Sequence, residues 1–353
     1  MEVITLLQGD ASSPLSPLFI IHAISGISLP YLRLESISDE DRPVYGITSP
    51  MHCEGGEDFE YPSTLAELAA LYLVGVQKIQ PKGPYLLAGW SMGGMLAMFM
   101  AQMLEYRGED VSKVIMLDSA NPEVFPHFKS AVEHRAFTKL TFEKTIAFAG
   151  LETSGICNAS SPIPSPPAEE VDAEDYLTSR PRRSTWQTAS SDTSARSSAA
   201  SLFDNSTPLF SPTDSPLSSP YTSDDSDCDS DCDEDELGAA HLKNLLRLIK
   251  LHIHHGLDLI ASVRPGDLFI PGRKSNFDTV LIKCTPPQDG ETHNHAGAEF
   301  IRKVMHEKGM RWDPEQFRSF STIPFSGDHD GAFHPTFIPE LSSIFRRCLE
   351  DVD

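Results

Sequence analysis

Short apolar runs and longer amphipathic stretches alternate along the first 120 residues or so of this chain. The apolar runs predict buried strands, at 18–22, 43–48, 84–89 and 113–117. The amphipathic stretches predict helices, at about 28–37, 62–80 and 92–107. Strands that are apolar on both faces and alternate with helices are typical of a mostly parallel sheet that helices cover on both sides. We therefore predict an α/β fold.

The same pattern returns near the C-terminus after a long interruption. Residues 239–262 carry leucine and isoleucine on one broad helical face, and Val280 to Lys283 reads as a late core strand. Phe317 to Phe325 predicts a last strand, and a second amphipathic helix is expected from about Thr336.

The interruption is rich in Ser, Thr, Pro and Asp and poor in aliphatic residues. Residues 154–236 hold 17 Asp and Glu against 4 Lys and Arg, which accounts for −13 of the chain's net charge of −23. Such a segment buries too little apolar surface to offset its ordering entropy, so we expect it to be disordered. The predicted organisation is a first core part at 1–150, an acidic insertion at 151–238, and a second part at 239–353.

A candidate nucleophile lies directly after the third predicted strand. Gly89-Trp90-Ser91-Met92-Gly93-Gly94 follows the run Tyr85 to Ala88 and precedes a helix. Small residues two before and two after a serine allow a sharp strand-to-helix turn that exposes the serine oxygen. A serine hydroxyl needs a histidine to remove its proton, so Ser91 predicts an acid and a histidine later in the chain.

Asp118 and His329 are the candidate partners. Asp118 follows the strand that comes after the turn, and parallel sheets place their active sites at the carboxyl ends of strands; the alternative is that it only caps a turn. His329 lies in the loop Ser326 to Gly331 after the last strand. His334 is the rival, and we favour His329 because it directly follows the strand.

Two backbone N–H groups should form an oxyanion hole. Met92, the residue after the serine, is one expected donor. The other should come from the loop after the first strand, where Ile24 is favoured over Ala23. We expect His22 to orient that loop and to take no part in the chemistry.

With these residues placed, the chain resembles the thioesterase domains that release products from polyketide synthases and nonribosomal peptide synthetases. The resemblance covers about residues 15–150 and 240–350 and rests on these segments: Phe19 to Gly26, the Gly89 to Gly94 turn, Leu117-Asp118-Ser119 and Gly327-Asp328-His329. The chain departs from the family directly after His329: the family often has a bulky apolar residue at that position, whereas this chain has Asp330.

The resemblance implies an α/β-hydrolase fold with a helical lid between the acid and the histidine. We assign Val124 to Leu151 and helix 239–262 to that lid, with the acidic insertion between them. Whether the apolar face of helix 239–262 packs only on the sheet domain or also lines an acyl channel stays open.

The resemblance also implies a substrate and a partner. An acyl group would arrive as a thioester on the phosphopantetheine arm of an acyl carrier protein or a peptidyl carrier protein, and Ser91, His329 and Asp118 would transfer it with no cofactor. Two alternatives remain: a general carboxylesterase or lipase, and a catalytically silent scaffold with a hydrolase fold.

Composition excludes several other classes. The six cysteines have no disulfide-framework spacing, and the Asp-Cys-rich run around 228–232 matches neither a calcium loop nor a zinc pattern. His252, His254 and His255 cluster on a predicted helix, but we find no carboxylate or cysteine spaced to join them and assign no metal. We expect no nucleic-acid partner and no membrane span, and, without a secretory leader, a cytoplasmic location.

Overall fold

The computed structural model describes residues 2–38, 41–148, 231–270, 272–286 and 296–352. Most of the segment predicted to be disordered lies outside these residues. The strands are β1 Ile4–Gln8, β2 Leu18–Ile21, β3 Val44–Ile47, β4 Tyr85–Trp90, β5 Val111–Leu117, β6 Ser275–Lys283 and β7 Phe317–Pro324. The α-helices are α1 Leu65–Ile79, α2 Met92–Tyr106, α3 Ala131–Phe148, α4 Asp231–Ser262, α5 Ala296–His306 and α6 Ile338–Leu349.

The strands form one seven-stranded sheet in the order β1-β3-β2-β4-β5-β6-β7. β1 pairs antiparallel with β3, and every other neighbouring pair is parallel. The carboxyl ends of β4, β5, β6 and β7 therefore lie next to one another at one edge of the sheet. This is the arrangement of an α/β-hydrolase, as predicted.

Each central strand contributes side chains to two separate apolar cores. Tyr85 and Leu87 of β4 pack on one side of the sheet, and Leu86 and Ala88 pack on the other. Helices α1, α2 and α4 cover the first side, and α6 covers the second. Because both faces are buried, these strands read in the sequence as continuous apolar runs.

The structure corrects the predicted elements at four places. Strand β1 was not predicted, because this partly exposed edge strand lacks a continuous apolar run. The helix expected at 28–37 is a short 3₁₀ segment, Leu29–Arg33, with a proline at its second position, and Leu32 is largely exposed. Helix α4 begins at Asp231 instead of 239, within the acidic run; acidic residues are favourable near a helix N-terminus. Helix α5 was also missed.

Helices α3 and α4 pack on each other and precede β6 in the chain; we call them the lid helices. Gly256 of α4 lies against the core at the predicted oxyanion donors. A methyl group at that position would lie 3.0 Å from Sδ of Met92 and 3.1 Å from Cγ1 of Ile24. Among the described helices, none combines the length and the apolar character that crossing a membrane requires.

Candidate active site

Ser91 occupies a strained turn between β4 and α2. Its φ of 56° and ψ of −121° lie outside the regions that residues with a side chain normally adopt. The Ser91 N–H donates to the carbonyl of Leu117 at 2.9 Å, which ties the turn to the end of β5. The Ser91 side chain does not cap the helix that follows. This is the geometry expected of a nucleophile elbow.

The glycines around Ser91 are required by close backbone contacts. A Cβ atom on Gly93 would lie 2.3 Å from the carbonyl oxygen of Ile21 and 2.6 Å from that of His22. A Cβ atom on Gly89 would lie 2.1 Å from the carbonyl carbon of Gly93. The first turn of α2 can therefore press onto the end of β2 only because these side chains are missing.

Asp118 and His329 meet across 211 positions of sequence. Nδ1 of His329 lies 2.8 Å from Oδ2 of Asp118. Asp118 follows β5 in a left-handed backbone conformation, with φ of 46°, and its side chain is fully buried. His329 lies in the loop after β7, and 24% of its side chain is exposed. The two candidate partners of Ser91 are therefore in hydrogen-bond contact with each other.

The second oxygen of Asp118 is held by residues at the end of β6. Oδ1 accepts hydrogen bonds from Nζ of Lys283 at 3.0 Å and from the backbone N–H of Cys284 at 3.1 Å. Lys283 is itself mostly buried, with 11% of its side chain exposed. Asp118 therefore makes contacts with both oxygens, which is more than capping a turn requires.

These contacts shift the pKa values of the pair in opposite directions. Burial alone would raise the pKa of Asp118, but the hydrogen bond and charge of His329 and the charge of Lys283 hold it below its ordinary value. Burial alone would lower the pKa of His329, but the hydrogen bond and charge of Asp118 raise it above its ordinary value. The charge of Asp330 raises the pKa of His329 further. The pair is thus poised to stabilise a protonated imidazole.

His329 lies beside the elbow. Its ring packs against Trp90, the residue before Ser91, with 5.8 Å between ring centroids. The rival His334 is exposed and accepts a hydrogen bond from the N–H of Thr336. The structure therefore brings His329 to Asp118 and leaves His334 on the surface.

A family model described as "Thioesterase domain" matches residues 16–140. The thioesterase pytI of Aspergillus terreus is 32% identical over 365 aligned residues, which cover 100% of both chains. The chain belongs to the thioesterase family. This confirms the resemblance drawn from the elbow and the Gly-Asp-His segment, and the protein is a thioesterase.

Two further comparisons extend this finding. Non-reducing polyketide synthase crz7 of Cladonia metacorallifera is 37% identical over 150 residues, which cover 42% of this thioesterase and 7% of the synthase. The crystal structure of the NocB thioesterase domain in covalent complex with a fluorophosphonate nocardicin G analog has a TM-score of 0.54 at 16% identity. The alignment covers 98% of this chain and 99% of the NocB domain, so the two proteins share a fold.

One group of side chains in the described part of this thioesterase has the composition of a metal site. His134 of α3 and His254 and Asp258 of α4 place ligand atoms within 4.8 Å of one another. The rings of His134 and His254 are stacked, however, with centroids 4.1 Å apart and an angle of 17° between their planes. Lone pairs in two parallel rings do not converge on one ion, so these residues fit packing between the lid helices better than metal binding.

Sequence reasoning missed three features near the site. Asp258 is spaced four residues from His254, although no carboxylate was expected near that cluster. Lys283 was assigned only to a core strand. Its position at the carboxyl end of that strand could have indicated that it lies near Asp118. His252 was noted without a role, yet its Nδ1 lies 2.9 Å from the carbonyl oxygen of Ile24. No local pattern predicts this contact, because 228 positions separate the two residues.

Proposed function

We propose that this thioesterase is a serine hydrolase in which Ser91 is the nucleophile, His329 the general base and Asp118 the acid that orients the histidine. The observation that carries the proposal is the bond between Nδ1 of His329 and Oδ2 of Asp118 beside the strained Ser91. A carboxylate only accepts hydrogen bonds, so Nδ1 carries the proton. In the neutral ring Nε2 is then unprotonated and acts as the base.

The reaction proceeds in two stages. Ser91 Oγ attacks the thioester carbonyl carbon as Nε2 of His329 takes its proton, and the N–H groups of Met92 and Ile24 stabilise the oxyanion. The C–S bond breaks, the proton on His329 passes to the leaving thiolate, and an acyl-serine ester remains. A water then gives a proton to His329 and attacks the ester, which releases the acid and restores Ser91. No cofactor takes part.

The substrate we propose is an acyl group carried on the phosphopantetheine arm of an acyl carrier or peptidyl carrier protein. The similarity to part of a non-reducing polyketide synthase supports this choice, and the family resemblance implies a carrier-borne thioester. The biological setting is the biosynthesis of a polyketide or nonribosomal peptide. A water acceptor gives a free acid, and a hydroxyl group within the substrate gives a lactone.

Rates on matched substrates test the proposal. The same acyl group is offered on a carrier protein, as an N-acetylcysteamine thioester and as an oxygen ester, to the wild type and to Ser91→Ala. We expect the carrier-borne thioester to be hydrolysed fastest. We expect Ser91→Ala to lose about a thousandfold or more of the rate.

Each remaining reading has its own outcome. Faster turnover of the oxygen ester than of both thioesters would support a general carboxylesterase. No Ser91-dependent turnover, together with no labelling of Ser91 by a fluorophosphonate probe, would support a silent scaffold.

A further inference from the structure

Three consecutive carbonyl groups of the loop after β2 each contact a different histidine. Nδ1 of His22 lies 2.6 Å from the carbonyl oxygen of Ala23, and Nδ1 of His252 lies 2.9 Å from that of Ile24. Nε2 of His52 lies 3.0 Å from the carbonyl oxygen of Ser25. A carbonyl oxygen only accepts hydrogen bonds, so each of these ring nitrogens carries a proton and donates a hydrogen bond to the loop.

These histidines are neutral donors. Burial lowers the pKa of His22 to about 3 and that of His52 to about 4. Burial, together with the neighbouring His22 and His52, holds the pKa of His252 well below its ordinary value. Each neutral ring has one N–H group, and in all three it is used on the loop.

The second nitrogen of His252 is also engaged. Nε2 lies 3.0 Å from the hydroxyl of Tyr61, and since Nδ1 carries the proton of the neutral ring, the tyrosine is the donor there. The two bonds fix the orientation of the ring, which is fully buried. His252 therefore has one partner on the loop and one on the segment before α1.

The loop bonds fix the peptide planes that flank Ile24. In a trans peptide the C=O of one residue and the N–H of the next point in opposite directions. The bond from His22 to Ala23 thus sets the direction of the Ile24 N–H. The bond from His252 to Ile24 holds the plane on its other side. The proposed oxyanion donor lies in the first plane, and the bond from His252 acts on it through the backbone of Ile24.

His252 differs from the other two histidines in where it comes from. His22 and His52 belong to the sheet domain, whereas His252 lies on lid helix α4. One turn further along α4, a Cβ atom on Gly256 would lie 3.0 Å from Sδ of Met92 and 3.1 Å from Cγ1 of Ile24. One face of the lid helix therefore lies against both proposed oxyanion donors.

We propose that His252 is a positioning residue that makes the oxyanion hole depend on docking of lid helix α4. With α4 docked, His252 holds the Ile24 carbonyl and the loop keeps the orientation that stabilises the oxyanion. With α4 displaced, the loop loses that bond. The proposal rests on the proposed function, because it assigns a role in forming the hole that the Ser91 reaction uses.

The test compares His252→Phe, which keeps a ring and loses the donor, with His252→Asn, whose amide nitrogen lies where Nδ1 lies. Steady-state rates are measured on the N-acetylcysteamine thioester. We expect His252→Phe to lower kcat about 10- to 100-fold with KM within about twofold, since the bond acts on the transition state. His252→Asn should recover at least about tenfold of that loss.

A second measurement separates positioning from loss of structure. A trifluoromethyl ketone with the same acyl chain forms an oxyanion on Ser91, whereas the product acid does not. His252→Phe should lower the affinity for the ketone in parallel with kcat/KM and leave the affinity for the product acid unchanged. Equal loss for both ligands, or a kcat in the folded variant within about twofold of wild type, would overturn the proposal.

Two controls keep the outcome decisive. If His252→Phe does not fold, Tyr61→Phe takes its place, because it removes the hydroxyl that orients His252; a severalfold fall in kcat supports the proposal and an unchanged kcat overturns it. Ser91→Ala distinguishes a failure of the proposed function from a failure of the role proposed for His252. If wild-type activity does not depend on Ser91, the proposed function fails; if it does and His252→Phe matches wild type, this inference alone fails.

Discussion

Nζ of Lys283 lies 3.0 Å from Oδ1 of Asp118, the carboxylate oxygen that His329 does not contact. The positive charge of the lysine partly compensates the negative charge of Asp118, which would otherwise act fully on the imidazole. It also compensates part of the cost of burying the carboxylate. Lys283 therefore affects the electrostatic interaction between Asp118 and His329 as well as the position of the Asp118 carboxylate.

Lys283→Met should shift the pH dependence of the enzyme. Without the cation, Asp118 interacts more strongly with His329, and the pKa of His329 rises further. The acid limb of kcat/KM, which reports the free enzyme, should move to higher pH. The variant should also be less stable near neutral pH by about 3 kcal/mol, the scale expected for removing one partner of a buried pair.

Lys113→Met is the matched control for this prediction. Lys113 lies on β5 and donates to the carbonyl of Cys348, away from Asp118. Its loss can reduce stability but should leave the acid limb in place. An acid limb that does not move in Lys283→Met would show that the lysine does not act on the pair.

The pH profile of the wild type should itself reflect the pairing of His329. Catalysis needs the neutral imidazole, and Asp118 raises the pKa of His329 above its ordinary value of 6.5. Activity should therefore fall as the pH drops through an inflection above that value. Profiles of kcat/KM against pH measure this inflection.

Asp118→Asn should move that inflection to lower pH, because burial then dominates the pKa of His329. It should also lower kcat by about 10⁴-fold, the effect seen when the acid of a serine protease triad is replaced by asparagine and the histidine takes the wrong tautomer. An unchanged inflection in a folded variant would contradict the role given to Asp118.

His329→Asn and His334→Asn test which histidine is the base. We expect the first to lose about a thousandfold of kcat. The kcat of His334→Asn should stay close to that of the wild type, because His334 is exposed. Both rates are measured on the same thioester at saturating concentration. The reverse pattern would require His334 to move into the site.

Gly256→Val tests the contact between α4 and the proposed oxyanion donors. A Cβ atom here would lie 3.0 Å from Sδ of Met92 and 3.1 Å from Cγ1 of Ile24, so the added methyl groups must displace these side chains or α4 itself, at a cost of about 1–3 kcal/mol. We expect kcat to fall about tenfold, since a displaced loop weakens the oxyanion hole. Thermal unfolding and steady-state kinetics measure the two effects.

Gly238→Val, on the same helix, is its control. Nothing lies within 4 Å of a Cβ atom at this position. The substitution has the same effect on helix propensity and should leave activity unchanged. Equal activity losses in the two variants would assign the effect of Gly256→Val to the helix itself and not to the contact.

The parts of the site that lie on regular elements could be predicted from the sequence. Ser91 and Asp118 follow apolar strands directly, and their neighbouring places at the sheet edge follow from parallel strand order. His329 is placed by the same rule after β7. Periodicity and strand order suffice here because each residue is tied to the end of a strand.

The residues that support the site could not be predicted in the same way. Lys283 and His252 act through contacts that span 165 and 228 positions, and neither belongs to a local motif. The packing of α4 against the loop after β2 decides the position of His252. The edge strand β1 was missed because its partial exposure weakens the apolar pattern. At 28–37 the apolar spacing was interpreted as an α-helix, whereas only Leu29–Arg33 is helical, as a 3₁₀ segment with Pro30 in its first turn.

In the proposed reaction Ser91 carries the acyl group between the two stages. This is tested by the intact mass of the enzyme, quenched during turnover of a slowly hydrolysed acyl-thioester, followed by peptide mapping. We expect a mass increase equal to the acyl group less one hydrogen, located on the peptide that contains Ser91 and absent in Ser91→Ala. Full turnover by Ser91→Ala, with no adduct on the wild type, would contradict it.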